Sequence, residues 1–294
     1  MKNIILTEKR NPNTTNIDIM DANQIAKVLN EEDKKVALAV EKCISEIGES
    51  IEIIAQSFLK GGRLAYFGAG TSGRLGVLDA SECWPTFGVE HGMVNGFIAG
   101  GDRALRYSIE NSEDNKELGL QDLESFNPNE KDVVVGISAS GGPRYVLAVL
   151  EEAQKRGCKT IGISSNPEAY LQKYSDIFIN PVVGEEPVTG SSRMKSGTAQ
   201  KMILNMLSTG AMIRIGKTYE NYMIDVRMVN EKLVDRGTRI VAEIAKISYE
   251  EAKVFLRESD NKVKTACVMA IKKCSKEEAE QLLKLNGGIL RKVI

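Results

Sequence analysis

A chain of 294 residues with 39 basic against 40 acidic side chains is long enough to bury a large core. The balance excludes the basic excess expected of a nucleic-acid binder, and no apolar run reaches the ~18 residues of a membrane-spanning helix. One histidine, His91, and five cysteines without a C-x-x-C pair leave no transition-metal ligand set and little room for a Ser-His-Asp triad. Acid–base chemistry then falls to carboxylates, lysine or tyrosine. Cys43, Cys83, Cys158, Cys267 and Cys274 are expected to be ordinary buried thiols. The start, MKNIILTEKRNPN, has an apolar run too short for a signal peptide, and a soluble cytoplasmic protein is expected.

Residues 1–60 read as N-terminal helices packing on a core. Asp21 and Gln24 have capping-box spacing, and Ile25, Val28 and Leu29 follow at helical intervals. A second helix carries Val36, Val40, Ile44, Ile47, Ile51 and Ile54. After Gly61-Gly62 the period changes. LAYFG (64–68), VNGFIAGG (94–101), DVVVGIS (132–138), KTIGIS (159–164) and DIFINP (176–181) are short apolar strands. Helical patterns fall between them over 73–82, 102–111, 143–156 and 167–174. The alternation predicts an α/β domain over 61–216, a parallel sheet flanked by helices on both faces, with ligands beyond the carboxyl ends of its strands. The stretch 198–215, apolar on most sides, predicts a buried helix. No strand signal follows residue 217. A connecting helix is expected over 217–237 and a small all-helical domain over 238–294, where Ser248 with Glu251 and Ser275 with Glu278 make two S-x-x-E boxes. The charge-rich run KKCSKEEAEQLLK reads as a solvated helix face.

Three loops are rich in glycine and hydroxyls: GAGTSG (68–73), SASGG (138–142) and TGSSRMKSGT (189–198). Small residues let the backbone approach a ligand, and N–H groups at a helix start attract anions. Three such loops on one sheet favour a phosphorylated ligand. The first matches the dinucleotide fingerprint G-x-G-x-x-G letter for letter. That fingerprint also requires an acidic residue about 20 positions on, at the end of the second strand, to hold a ribose. Here that strand ends Ile98-Ala99-Gly100-Gly101; Asp102 comes too late and Glu90 precedes the strand. The loop is expected to cradle a phosphate rather than NAD.

GAGTSGRLGVLDASECWPTFG, SEDNKELG (112–119) and VTGSSRMKSGTAQKMILNMLSTG (188–210) closely resemble the N-acetylmuramic acid 6-phosphate etherase family. LTEKRNPNTTNID and DVRMVNEKL (225–233) extend the likeness from about residue 6 to the end. SSRMKSGTAQK is specific to that family, whereas SASG is shared by the wider sugar isomerase (SIS) superfamily. The resemblance implies a SIS-type α/β fold with a helical tail and a homodimer, without cofactor or metal. It implies a small sugar-phosphate substrate, and neither a nucleic-acid nor a membrane partner. It further implies cleavage of the D-lactyl ether of N-acetylmuramate 6-phosphate, in cell-wall sugar recycling. The chain departs from the family in two places. Trp84 stands where many members have proline, and Gly142-Pro143-Arg144 stands where many continue Arg-Thr-Pro, so a hydroxyl is missing and an arginine has moved two places.

The family's catalytic carboxylates match Glu82, in DASEC, and Glu113, in NSEDN. The implied substrate contacts are Thr71, Ser72 and Gly73 on the first loop, Ser138, Ser140 and Gly141 on the second, and Ser191, Ser192 and Lys195 on the third. The lactyl oxygen sits on carbon 3, beta to the aldehyde of the open-chain sugar. Removing the proton on carbon 2 lets lactate leave, which calls for a base, an acid and donors near the aldehyde oxygen. Glu82 is expected to be the acid, its pKa raised by apolar bulk from Cys83, Trp84 and Pro85. Glu113 is expected to be the base, with Glu110 and Asp114 as neighbours open to the same role. A helix over 73–82 puts Glu82 roughly 15 Å from Ser72 at ~1.5 Å per residue, further than a hexose phosphate reaches. The site is therefore expected at a subunit interface, with phosphate on Ser138–Gly141 and Glu82 or Glu113 arriving from the second copy. Arg193 is a further candidate for an anionic group. Asp79 is expected to be structural, His91 a loop residue, and Tyr145 and Tyr222 packing residues. A sugar-phosphate isomerase and a non-catalytic sugar-phosphate sensor share these loops and stand as alternatives.

Overall fold

The computed structural model describes residues 5–228 and 230–294. The first four residues of the N-terminal stretch, and Val229 within DVRMVNEKL, lie outside the described residues. The chain divides into two compact units. The first holds the described residues up to Ser81 together with Gly92–Ser208; the second holds Glu82–His91 and Thr209–Ile294.

In the first unit, three single 3₁₀ turns lead into helices α1 (Ala22–Glu41) and α2 (Ile44–Leu59). The Asp21/Gln24 box caps α1: the Asp21 carboxylate accepts from the Gln24 N–H, and the Gln24 side chain returns the bond. Five parallel strands follow: β1 (Leu64–Gly68), β2 (Val94–Ile98), β3 (Val133–Ile137), β4 (Lys159–Ile163) and β5 (Ile177–Ile179), in the order β2-β1-β3-β4-β5. All five coincide with the apolar runs read from sequence. β1 and β3 are buried along their whole length, as strands covered on both faces must be. On one side of the sheet Phe67, Phe97 and Phe126 meet at 4.6–6.4 Å between ring centroids and pack with Leu123, Tyr145 and Val149. The strand order reverses between β1 and β3. In open parallel sheets that switch point is where a crevice opens at the carboxyl ends of the strands.

The helical segments between and after the strands depart from the sequence reading in several places. Helix α3 spans Gly70–Phe87, longer at both ends than the expected 73–82. The expected helix over 102–111 is only the single turn α4 (Arg103–Arg106), since Tyr107 leaves it extended and Asn111 takes a positive φ of 58°. Helix α5 (Lys116–Phe126) went unread, although Asn115 caps it through its side chain, accepting from the Leu118 N–H. Helix α6 (Arg144–Lys155) lies within the expected 143–156, and 167–174 is a 3₁₀ segment, Tyr170–Tyr174. Helix α7 (Lys195–Arg214) is the expected apolar helix, begun three residues earlier.

In the second unit the connecting helix expected over 217–237 is instead a hairpin of β6 (Thr218–Tyr219) and β7 (Tyr222–Met223), an irregular stretch, and the start of α8 (Glu231–Ala245). Two-residue strands carry no periodicity to read. Helices α9 (Tyr249–Glu258), α10 (Val263–Lys272) and α11 (Lys276–Leu285) complete it, and both S-x-x-E boxes cap as expected. Ile240, Val241, Leu256, Ala266 and Cys267 form its own apolar core. No helix among the described residues is long and apolar enough to cross a membrane.

Candidate active site

The G-x-G-x-x-G match is a packing device. A Cβ on Gly68 would lie 2.6 Å from the Gly73 nitrogen, and one on Gly73 would lie 2.6 Å from the Gly68 carbonyl oxygen. Only glycine at both positions lets the end of β1 touch the start of α3. The close approach leaves the N–H groups of Thr71 and Ser72 at the open start of α3 without an acceptor among the described residues. Beside it, after β3, the loop at 138–143 leads into α6, whose N-cap is Pro143. Its carbonyls are drawn backward: Ala139 O accepts from the Ser164 hydroxyl (3.0 Å) and the Ser165 N–H (3.2 Å), and Ser140 O accepts from the Asn166 amide (3.0 Å). The N–H groups of Ala139 and Ser140 are left free in the same sense. Gly141 turns this loop at φ +72°, and a Cβ there would sit 2.2 Å from the Ala169 Cβ.

A cavity of about 290 Å³ lies between the two loops. Thr71, Ser72, Ser138, Ser140 and Ser192 line it, and so does Glu113, from the segment before α5. Of the residues expected to contact substrate, Gly73, Gly141 and Ser191 shape the loops without lining the cavity. Free N–H groups, hydroxyls and two helix starts are chemically suited to an anion with neutral oxygens nearby. Ser72 is partly committed, its hydroxyl donating to the Gln200 amide oxygen at 2.9 Å. Arg144 and Arg193 are exposed and lie outside the lining.

The third loop is divided: Ser192 lines the cavity and Lys195 does not. Lys195 is 1% exposed and does not line the cavity. Its ammonium donates to Glu32 Oε2 at 2.7 Å, in a pair whose side chains are both 2% exposed. The N–H groups of Lys195 and Ser196, at the start of α7, donate to Glu186 at 2.8 and 3.0 Å. A buried carboxylate thus already occupies this helix start, leaving no anion site there. Burial opposes the Glu32 charge. Hydrogen bonds from Lys195, Lys35, Asn11 and Asn13 more than offset it and bring the carboxyl down to about 2. Asn11 also donates to Glu185 O (3.0 Å), and Thr14 to Pro187 O (2.8 Å). This network clamps the NPNT turn to the third loop. It brings Thr7 and Glu8 to the cavity wall, two residues not named as site candidates from the sequence, where they lie in the family-like stretch LTEKRNPNTTNID without a loop or cap pattern of their own.

Glu82 belongs to the second unit, is exposed and is absent from the cavity lining. The apolar enclosure expected from its neighbours is not found. Cys83 is buried while Glu82 points to solvent, Pro85 is exposed, and Trp84 stacks on His91 (4.9 Å) beneath the Arg227 guanidinium (4.8 Å). Adjacent helical residues face different directions. Helix α3 runs on past Glu82 to Phe87. Asp79 is structural, accepting from the Tyr66 and Ser208 hydroxyls at 3.0 and 3.2 Å. Tyr145 is fully buried and donates to Asp122 at 2.6 Å; burial, and then Asp122, push its hydroxyl far above the ordinary range. That makes it a packing residue. Tyr222 lies in the hairpin against the second unit's core. Four cysteines are buried, with burial pushing the Cys158 and Cys267 thiols up to about 11 and about 12.

The SIS domain model matches residues 119–210, and the glucokinase regulatory protein N-terminal SIS domain model matches residues 46–154. The chain is 51% identical to an N-acetylmuramic acid 6-phosphate etherase of Actinobacillus pleuropneumoniae serotype 5b (strain L20), over 99% of this chain and 95% of that protein. It is 52% identical to one of Photobacterium profundum, over 99% and 96%. A solved phosphoheptose isomerase from Francisella tularensis, 18% identical, superposes with a TM-score of 0.50 over 66% of this chain and all of the other, a likeness of fold alone.

Proposed function

The chain belongs to the N-acetylmuramic acid 6-phosphate etherase family, and on that premise we propose how it works as a carbon–oxygen lyase. It cleaves the D-lactyl ether of N-acetylmuramic acid 6-phosphate to N-acetylglucosamine 6-phosphate and D-lactate. The observation that carries the site assignment is Glu113 on the wall of the cavity that Ser138, Ser140, Thr71 and Ser72 line. The phosphate rests on the Ser138–Gly141 loop, against its free N–H groups and hydroxyls. Glu113 takes the proton from carbon 2 of the open-chain sugar. The electron pair moves toward the aldehyde oxygen, whose growing charge the donors at the start of α3 offset. The carbon 3–oxygen bond then breaks as an acid protonates the departing lactate oxygen. Water adds at carbon 3 and the proton returns to carbon 2, which balances the hydrolysis.

Glu113 acts in its own chain, because it shares the cavity with the phosphate loop. The acid is Glu82 of a second copy. Glu82 and Leu78, four residues apart on one face of α3, are both exposed, Leu78 at 42%. An exposed apolar residue beside a carboxylate suits a subunit contact. The enzyme is read as a cytoplasmic homodimer.

Release of D-lactate from N-acetylmuramic acid 6-phosphate tests the reaction; isomerised sugar without lactate would replace it with the isomerase reading, and binding without turnover with the sensor reading. Mixing inactive Glu82→Ala and Glu113→Ala chains tests the shared site. Random reassortment should restore about a quarter of wild-type activity, since half the dimers are hybrids with one intact site of two. No recovery would place both carboxylates in one protomer.

A further inference from the structure

A second cavity, of about 220 Å³, adjoins the first and shares two lining residues with it, Gly70 and Glu113. Arg74 lines the second cavity and is the one cation among the described residues lining either. It lies one helical turn beyond Thr71, so both face the same way from α3. Its guanidinium is held by backbone. Nε donates to Leu105 O at 3.0 Å, and one terminal nitrogen donates to Ala104 O at 2.6 Å and Tyr107 O at 3.4 Å. The other terminal nitrogen has no acceptor, and the charge has no ion-pair partner among the described residues, although Glu110 and Glu113 line the same cavity. Carbonyls orient an arginine without neutralising it. The result is a fixed, half-buried positive charge with donors to spare, suited to a carboxylate.

Resting on the etherase reading, we propose that Arg74 binds the carboxylate of the lactyl arm in this second cavity. The phosphate then lies over the Ser138 loop, the lactyl arm against Arg74, and the ether bond above Glu113 on the shared wall. The substrate's two anionic ends have separate receptors: backbone N–H groups and hydroxyls for the phosphate, a guanidinium for the carboxylate. On this arrangement the site should favour the lactyl-bearing sugar over its own product, which lacks that second anion.

The test compares N-acetylmuramic acid 6-phosphate with its analogue carrying a carboxamide in place of the lactyl carboxylate. Wild-type enzyme should prefer the carboxylate by ~10-fold or more in kcat/KM, the scale of a charged hydrogen bond. In Arg74→Met the preference should fall to within ~2-fold, while inhibition by N-acetylglucosamine 6-phosphate stays within ~2-fold of wild type. A merely structural arginine, bracing residues 104–107, would lower turnover of both substrates and weaken product binding alike; that pattern would overturn the proposal. Should Arg74→Met fail to fold, the wild-type comparison decides alone: equal kcat/KM for acid and amide sinks it. Wild-type enzyme that releases lactate from neither substrate overturns the etherase reading and this proposal together.

Discussion

The loops at 138–143 and 189–198 look alike in sequence, each with glycine, serines and a helix to follow, yet they do opposite things. In the first, carbonyls are tied backward by Ser164, Ser165 and Asn166, and N–H groups stay free at a cavity. In the second, Glu186 takes the helix N–H groups and Glu32 takes the lysine, so the helix start is sealed while Gly190 and Ser192 still line the cavity. The difference teaches that a helix start binds a foreign anion only if the protein has not supplied its own. Changes in the open loop should therefore read out in affinity, and changes in the sealed loop in stability.

The largest effect should come from the residue facing the open loop. Glu113→Gln should lower kcat by ~10³-fold with KM changed by less than ~3-fold, measured as lactate release. Loss of only a few-fold would move the base to Glu110 or Asp114. Next, Lys195→Met should destabilise by ~3 kcal/mol, because it leaves Glu32 buried with its buried cation gone and only the half-exposed Lys35 beside it; kinetics of the fraction that stays folded should change little. A KM shift without a lower melting temperature would return Lys195 to the substrate. The same pair sets a pH dependence. The Glu32 carboxyl is depressed in the folded protein to about 2 from an ordinary 4.5, so its contribution is full above about pH 4.5 and fades as pH falls toward 2. Acid unfolding of wild type should be steeper in that window than that of Lys195→Met. Smallest, Ser140→Ala should weaken binding of the phosphorylated sugar by ~10-fold while the melting temperature moves by less than ~2 °C. A large fall in melting temperature would make the hydroxyl structural.

Legibility followed the range of the interaction. The five strands and the three capping boxes are statements about neighbours two to four residues apart, and each came through. α5 is poorly marked in sequence: beyond the Asn115 cap it buries only Gly119, Leu123 and Phe126, too sparse an apolar stripe to read as a helix. The short α4 was overread, its apolar spacing extending past the turn where Tyr107 leaves the helix. At the site, Thr71, Ser72, Ser138, Ser140, Ser192 and Glu113 were named in sequence and converge on one cavity. Lys195 lies off that cavity, paired with Glu32, and Thr7, Glu8, Glu32 and Glu186 were not seen.

What the sequence determined alone was the parallel α/β sheet, the helical tail and the family, since periodicity, caps and long specific motifs are written in consecutive residues. What only the tertiary structure decided was the choice of partners. Lys195 meets Glu32 across 163 positions and Ser72 meets Gln200 across 128. A lysine in a serine-rich loop reads the same whether it faces a substrate or a buried carboxylate. Only folding brings one of the chain's 40 acidic residues to its ammonium, where a charge cut off from water is costly unless it is paired.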